Sequence, residues 1–193
     1  GSAAEITATV RPLAAVPRTR EAVPGSMSTL VTALDLAIAP EEAETVVLAE
    51  LLDRRLAALL TDHSTAVLAP FVPGRRVLLV VVTAAGPLDA LEGRLAKRWR
   101  ELTAPVGEGE LAAVRRRAAA EGVARGSGAM GHARRCAAVA VGAARWQPAA
   151  EEERAVLAVT VEELNRVLRA IGPWDALQTT AAGVLPVARA VGR

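Results

Sequence analysis

The feature that most constrains the fold is a run of residues, 28–38, in which apolar side chains recur with a period of two. The larger apolar residues of this run fall on one face: Leu30, Leu34, Leu36 and Ile38. Such alternation is typical of a strand with one well-buried side. A second run, 77–83, is uninterrupted from Leu78 to Val82, so we expect that strand to be central in its sheet or covered on both faces.

Helical periodicity separates and follows these strands. Pro40, followed by two glutamates, predicts a helix that runs to about residue 60, with Arg54 and Arg55 towards its polar side. Leucines at three- and four-residue spacing predict a second helix that begins at Leu88 and carries Trp99. Residues 108–125 and the Ala-rich residues 131–146 predict two more helices, and residues 151–153, all glutamate, predict the exposed acidic start of a short one.

The clearest local signal is a capping box formed by Thr160 and Glu163, with Val159 and Leu164 as its hydrophobic staple. The helix that it opens should end at Gly172-Pro173, and residues 177–184 can return as a final strand.

The remaining segments complete the predicted order of elements. Residues 5–10 and 64–70 predict short strands, the segment up to Pro24-Gly25 predicts a loop, and Pro73-Gly74 predicts a turn. The whole order predicts an α+β domain, a mostly antiparallel sheet with helices packed on one face. We expect one domain over residues 3–193, and residues 1–2 are typical of a scar left by a cleaved tag.

Composition excludes several classes of function. Hydrophobic residues make up 52% of the chain but aromatic residues only 2%, so stacking on nucleic acid bases is nearly impossible. The formal net charge is only +2, so the protein has no strong positive field that would attract polyanions. Cys136 is the only cysteine, which excludes an internal disulfide and any thiolate-rich metal site. Without a membrane-length apolar run or a signal peptide, we expect a soluble, cytoplasmic protein, and the use of arginine over lysine favours a bacterial source.

Three stretches together resemble the pitrilysin/insulinase family of zinc metallopeptidases, which includes mitochondrial processing peptidase. They are residues 49–56 (AELLDRRL), residues 105–119 with Glu110-Leu111 opening a helix, and residues 158–167 (AVTVEELNRV). The resemblance extends to the order of elements over nearly the whole chain. It implies the LuxS/pitrilysin-peptidase-like sandwich fold, and it implies a C-terminal-type, non-catalytic domain that works beside homologous copies.

The sequence departs from that family at the zinc site. An active half holds zinc with an inverted H-x-x-E-H motif and a distal glutamate, but this chain has only two histidines, His63 and His132, far apart. The resemblance therefore implies no cofactor in this chain and a zinc ion only in a partner half. The Arg and Tyr pair that the family's non-catalytic half offers to substrate has no counterpart, because the chain contains no tyrosine.

Other motifs have simpler interpretations. Gly126, Gly128 and Gly131 spell G-x-G-x-x-G but follow a predicted helix instead of a strand, which favours a helix connection over a dinucleotide loop. His132 and Cys136 are half a metal site at best, and a helix with a packed cysteine is favoured.

Neighbouring polar residues suggest two further sites that also have simpler explanations. The sequence Asp62-His63-Ser64 is better explained by a helix end and turn than by a catalytic triad. Arg115 to Arg117 point about 100° apart on a helix, and with Arg134 and Arg135 they favour a solvated or partner-binding face over a nucleic acid site.

We therefore expect a non-catalytic subunit or half of a pitrilysin-like peptidase. It would pair with a zinc-bearing homologous half to enclose an extended peptide, a precursor or leader peptide being one candidate, and would not be an enzyme on its own. The predicted partner or peptide contacts are Arg134, Arg135 and Trp146, while Trp146 and Trp174 could instead serve the core. The alternative is a stand-alone peptide- or protein-binding scaffold, which could be a homodimer, with no link to proteolysis.

Overall fold

The computed structural model describes residues 19–36, 42–68, 71–72, 75–126, 133, 136 and 148–184. The strands are β1 (Thr19–Ala22), β2 (Met27–Asp35), β3 (Ser64–Leu68), β4 (Phe71–Val72), β5 (Arg75–Ala85) and β6 (Gln178–Gly183). The helices are α1 (Glu42–Leu59), α2 (Leu88–Leu102), α3 (Glu108–Gly126), α4 (Ala149–Ala158) and α5 (Val161–Ala170), with a 3₁₀ turn at Trp174–Ala176.

The strands form one sheet in the order β1-β6-β2-β5-β3, and β4 pairs with the far end of β5. Every pairing is antiparallel except that of β1 with β6. The fold is therefore the predicted α+β architecture with a mostly antiparallel sheet. β5 lies between β2 and β3, as its uninterrupted apolar run predicted.

Helices cover one face of this sheet. Leu30 and Leu34 of β2 and Leu78 and Val80 of β5 point to that face, and each is at most 2% exposed. They pack into one core with the leucine stripes of α1 and α2 and the inner faces of α3 and α5. Burying these stripes against the sheet stabilises the helix layer by the removal of apolar surface from water.

Polar side chains connect the helices of this layer. Asn165 on α5 accepts a hydrogen bond from the Val106 backbone N–H (2.7 Å) and donates one to the Val106 carbonyl (3.0 Å). This pairing fixes the α2–α3 connection against α5. The capping box at Thr160 is present as predicted, because Thr160 Oγ1 accepts from the Glu163 N–H and Glu163 accepts from the Thr160 N–H.

Arg55 corrects a prediction, because it does not lie on a polar face of α1. Its side chain is only 12% exposed and forms an ion pair with Glu110 at 2.7 Å. It also donates to the carbonyl oxygens of Leu102 (2.9 Å) and Ala104 (2.6 Å). Leu102 is the last residue of α2 and Ala104 lies just beyond it. Carbonyls at a helix C-terminus lack intrahelical partners, and here the Arg55 guanidinium of the neighbouring helix donates to them.

β1 corrects a second prediction, because this strand lies within the segment expected to be a loop. All four of its residues are exposed, so no apolar alternation marks it in the sequence. It forms by backbone pairing with β6, and Arg20 holds it to α2 by ion pairs with Asp89 (2.8 Å) and with Glu92.

Several predictions lie outside the described residues. These are the strand over residues 5–10, the helix start at Pro40, the turn at Pro73-Gly74, most of the helix over residues 131–146, and Ile38. Within the described part of the chain, no helix has both the length and the apolar character needed to cross a bilayer.

Candidate interaction surface

The candidate surface is the face of the sheet that the described helices leave uncovered, which we call the open face. Because residues opposite each other in paired strands point to the same side, the pairing register defines it. Val31 of β2 is opposite Val81 of β5 and Thr180 of β6. One step along the strands, Ala33 is opposite Leu79, which in turn is opposite Leu68 of β3.

The open face is apolar at its centre and carries large exposed side chains at its ends. Val31, Ala33, Leu79 and Val81 are half-buried. Met27, at one end of β2, is 51% exposed, and Leu68, at the β3 edge, is 52% exposed. Among the described residues, only two other large hydrophobic residues are comparably exposed, Val23 and Leu157. Exposed apolar surface that is contiguous is typical of sites that contact another molecule, so this face is the candidate surface.

Threonines add hydroxyl groups to this face without charge. Thr29 and Thr83 are paired across β2 and β5, with their hydroxyl oxygens 3.0 Å apart. Thr19 donates to the Thr180 hydroxyl over 3.1 Å and so joins β1 to the same face. Hydroxyls bonded to one another present little unpaired polar surface, so the face can be buried at small cost.

The predicted contact residues Arg134, Arg135 and Trp146 lie outside the described residues and stay predictions. Trp174, the other tryptophan considered as an anchor, belongs to the core. It is 7% exposed, and its ring centroid is 5.4 Å from that of Trp99, whose Nε1 donates to the Gly172 carbonyl over 3.1 Å.

The arginines at positions 115–117 diverge as predicted, and two of them bind within the protein. Arg115 donates to the Val159 carbonyl (2.7 Å) and to Glu108 (2.6 Å) and is only 18% exposed, so it is not part of a solvated face. Arg117 forms ion pairs with Glu50 (2.8 Å) and Glu121 (3.1 Å). These contacts connect α3 to α1 and to the start of α5. Arg115 and Arg117 are therefore engaged within the protein instead of converging on a phosphate site.

A carboxylate next to this network is perturbed by its position. Burial raises the pKa of Asp53, and the nearby Arg117 guanidinium opposes that rise. Glu50, Arg117 and Glu121 therefore form a structural ion-pair network between α1 and α3, and Asp53 lies beside it.

The described residues of this chain do not fit a catalytic zinc site. His63 has no second histidine within a helical turn, and His132 lies outside the described residues. Within the described ranges, no three His, Cys, Asp or Glu side chains are close enough together to hold a metal ion. Three protein ligands are the usual minimum for catalytic zinc.

The other two candidate sites can also be assessed. Asp62-His63-Ser64 forms the turn after α1 and the first residue of β3, as expected. His63 Nδ1 lies 2.5 Å from Asp62 Oδ1, and neither ring nitrogen makes a hydrogen bond to Ser64. Cys136 is helical but exposed, which corrects the expectation that it is packed.

No family model and no curated protein matches the sequence, and the likeness is to solved structures. A crystal structure of a peptidase M16 inactive domain from Pseudomonas fluorescens matches with a TM-score of 0.60 and 16% identity, covering 88% of this chain and 45% of that one. A protein described as an M16-like peptidase from Alicyclobacillus acidocaldarius matches with a TM-score of 0.62 and 16% identity, covering 86% and 43%. A chain of complex III from Candida albicans matches with a TM-score of 0.64 and 13% identity, covering 86% and 45%.

These matches define the class of fold. M16 is the pitrilysin/insulinase peptidase family, so the chain has the fold of its domains, as the resemblance implied. At identities this low the likeness concerns the fold alone. The chain spans less than half the length of the structures it matches, so each of them has about as much chain again outside the matched domain.

Proposed function

We propose that this chain is the non-catalytic half or subunit of a pitrilysin-like zinc peptidase, and that it pairs with a zinc-bearing homologous half. The observation that carries the proposal is the open face, an uncovered apolar sheet surface on a domain whose fold is that of an inactive M16 domain. The histidine inventory agrees with a non-catalytic role, because one helix cannot supply the ligands that zinc needs.

The open face is the surface we assign to the homologous half. The structures that this chain matches continue for about the same length again beyond the matched domain, so a second domain of similar size is the natural occupant. The centre of the face is apolar, as the centres of stable interfaces are, and Met27 and Leu68 extend it as half-exposed large residues at opposite ends.

The peptide would bind by its main chain. β3 is an edge strand, paired on one side with β5, and no described strand lies on its other side. An extended peptide can add to such an edge through backbone hydrogen bonds, which need few diagnostic side chains. Arg134, Arg135 and Trp146 remain proposed contacts, and the zinc ion and the catalytic glutamate would belong to the partner half.

The test is reconstitution with an H-x-x-E-H-bearing homologue from the same genome. We expect the mixture to form a heterodimer, measured by light scattering after gel filtration, and to cleave peptides with activity absent from either protein alone. Leu68→Glu should weaken pairing and activity by roughly tenfold or more, because it buries an unpaired charge in the interface. Ala120→Glu, which introduces the same charge at an exposed position of α3, is the matched control and should pair normally.

Three results would contradict the proposal. Peptidase activity of the chain alone would require a site that the proposal denies. A heterodimer that Leu68→Glu and Ala120→Glu leave equally intact would move the interface away from the open face. A stable homodimer with no heterodimer would favour the alternative, a peptide- or protein-binding scaffold.

A further inference from the structure

The direction of the backbone groups in the sheet can be followed from one hydrogen bond outside the strands. Gly86 donates its N–H to the Ser26 carbonyl over 2.9 Å, and this pair continues the β2–β5 register by one residue. In an antiparallel pair, residues that exchange hydrogen bonds alternate with residues that do not. Gly86 therefore directs its backbone groups to β2, and so does every second residue before it on β5.

This alternation identifies the outward groups of the β3 edge. Val82 and Val80 lie four and six residues before Gly86, so their N–H and C=O groups point to β2 and away from β3. Their partners in the β3–β5 pairing are Thr65 and Val67. Those two residues consequently direct their own N–H and C=O groups to the side of β3 where no described strand lies. An extended peptide that adds to this edge would pair with these groups.

One of the outward groups is already engaged within the protein. Helix α1 packs against β3, and the Val67 N–H donates to the carboxylate of Asp53 on that helix. Burial raises the pKa of Asp53, and the Arg117 guanidinium and this N–H oppose the rise. The contact agrees with the alternation, because the Val67 N–H can donate to a side chain of α1 only if it is not directed at β5.

The contact places a competitor at the peptide edge. A peptide carbonyl that pairs with Val67 needs the same N–H from which Asp53 accepts, so the carboxylate must leave before the peptide can bind there. Charged side chains at edge strands are one means by which proteins limit the addition of further strands. Asp53 is only half-buried, so water can solvate the carboxylate once it is displaced.

We propose that Asp53 gates the β3 edge, its carboxylate holding the Val67 N–H until the carbonyl of an added peptide replaces it. The inference rests on the proposed function, which assigns the peptide to this edge, and it names the residue that regulates binding there. Asp53 is a positioning residue and not a catalytic one, because it acts by occupying a backbone donor. The gate favours extended peptides that pair with Thr65 and Val67 together, since the second pairing offsets the displacement.

The first arm of the experiment is amide hydrogen exchange of the chain alone, measured by NMR and corrected for intrinsic rates. We expect the Val67 amide to exchange roughly tenfold or more slowly than the Thr65 amide, because both point outward and Asp53 holds the former. Asp53→Ala should remove this difference. Asp53→Asn keeps an acceptor oxygen without the charge and should retain part of it.

The second arm measures peptide binding by calorimetry, with a short peptide of alternating threonine and valine whose termini are both blocked. The peptide has no charge, so a change in its affinity cannot arise from attraction to a carboxylate. Asp53→Ala should bind it roughly threefold to tenfold more tightly than the unmodified chain, because the hydrogen bond that the peptide displaces is partly screened by water. A version of the peptide with N-methylated backbone nitrogens cannot donate to the edge and should bind neither protein.

Glu121→Ala is the matched control for both arms. Glu121 accepts from Arg117 in the ion-pair network beside Asp53, so this variant removes a carboxylate from the same neighbourhood without removing the acceptor at β3. We expect the exchange rate of the Val67 amide and the affinity for the peptide to match those of the unmodified chain.

Three outcomes would overturn the proposal. A Val67 amide that exchanges as fast as the Thr65 amide would show that Asp53 does not hold it. Equal loss of protection in Asp53→Ala and Asp53→Asn would show that charge slows the exchange, and not a hydrogen bond. Peptide binding that is unchanged by Asp53→Ala, or absent from both proteins, would show that this residue does not gate the edge.

Failure of the proposed function has a different signature. In that case the reconstituted pair would not form or would not cleave peptides, while Asp53→Ala would still expose the Val67 amide and tighten binding of the blocked peptide. That combination supports the gate and leaves the chain as a peptide-binding scaffold.

Discussion

The two faces of the sheet are built from the same strands with similarly apolar residues, yet they have different surroundings. On the covered face, Leu78 and Val80 of β5 are fully buried beneath helices. On the open face, their neighbours Leu79 and Val81 are half-buried, and Leu68 beside them is 52% exposed. The comparison shows that this chain carries more apolar strand surface than its own described helices cover. In the proposed function, this surplus is the surface that the zinc-bearing half would cover.

The largest expected effect on stability comes from two adjacent leucines of β5, one on each face of the sheet. Leu78→Ala should lower the free energy of unfolding by about 2–5 kcal/mol, because it leaves a cavity in a closely packed core. Leu79→Ala removes the same atoms from the open face and should cost about 1 kcal/mol. Urea unfolding followed by circular dichroism measures both. Similar losses for the two variants would mean that the open face is as closely packed as the covered one.

A glycine near the end of β6 tests how closely the covered side is packed. A Cβ on Gly183 would lie 2.6 Å from Ser28 Cα, a backbone atom that cannot rotate away. Ser28 is itself held, because its hydroxyl donates to the Gly86 carbonyl (2.7 Å) and accepts from the Val184 N–H (3.1 Å). Gly183→Ala should therefore cost about 1–3 kcal/mol through overpacking.

The matched control for Gly183→Ala is the preceding residue, Ala182, which points to the open face. Ala182→Val adds more volume than Gly183→Ala, but it should change the free energy of unfolding by no more than about 0.5 kcal/mol. Thermal unfolding of both variants makes the comparison. If Ala182→Val is the more damaging of the two, the open face is more confined than the exposure of its residues indicates.

The sequence predicted the parts of the fold that local patterns determine. Alternation over residues 28–38 located β2, and the spacing of Thr160 and Glu163 located the start of α5, because each pattern reflects contacts within a few residues. β1 has no such pattern, since its four exposed residues are ordered only by pairing with β6 at the other end of the chain. The prediction for Arg55 was wrong for the same reason, because its partners at the end of α2 and on α3 are far from it in sequence.

The candidate surface was harder to predict than the fold. The run from Leu78 to Val82 indicated two apolar faces on β5, but only the three-dimensional arrangement shows which face the helices cover. The predicted contacts Arg134, Arg135 and Trp146 stay predictions.

The helix layer itself depends on Arg55. Arg55→Met should destabilise the fold by about 2 kcal/mol, less than the roughly 3–5 of a fully buried pair, because Glu110 is a third exposed. Arg55→Lys is the control and should recover part of the loss. It restores the positive charge but not the planar guanidinium, whose several N–H groups donate to both Glu110 and the carbonyls. Urea unfolding at pH 7 measures both variants, and an unchanged midpoint for Arg55→Met would contradict the role given to this side chain.

The same pair gives a pH dependence. The hydrogen bond from Arg55 holds the pKa of Glu110 below its ordinary value of 4.5. A carboxyl with a lowered folded-state pKa contributes stability that is present above that value and lost as the pH falls through the folded-state pKa. The difference between the unmodified protein and Arg55→Met should therefore be full at pH 7 and shrink below about 4.5. A difference that stays constant from pH 7 to pH 3 would show that Glu110 takes no part.

The smallest expected effect comes from the cap of α5, and it tests whether the covered face and the open face act independently. Thr160→Ala removes the hydroxyl that accepts from the Glu163 N–H at the start of α5, and should cost about 1 kcal/mol, whereas Thr160→Ser keeps the cap and should cost less. α5 belongs to the layer on the covered face, so this loss should leave pairing through the open face unchanged. If Thr160→Ala weakened the heterodimer as strongly as Leu68→Glu, the two faces would be coupled, and the open face could not be treated as an independent interface.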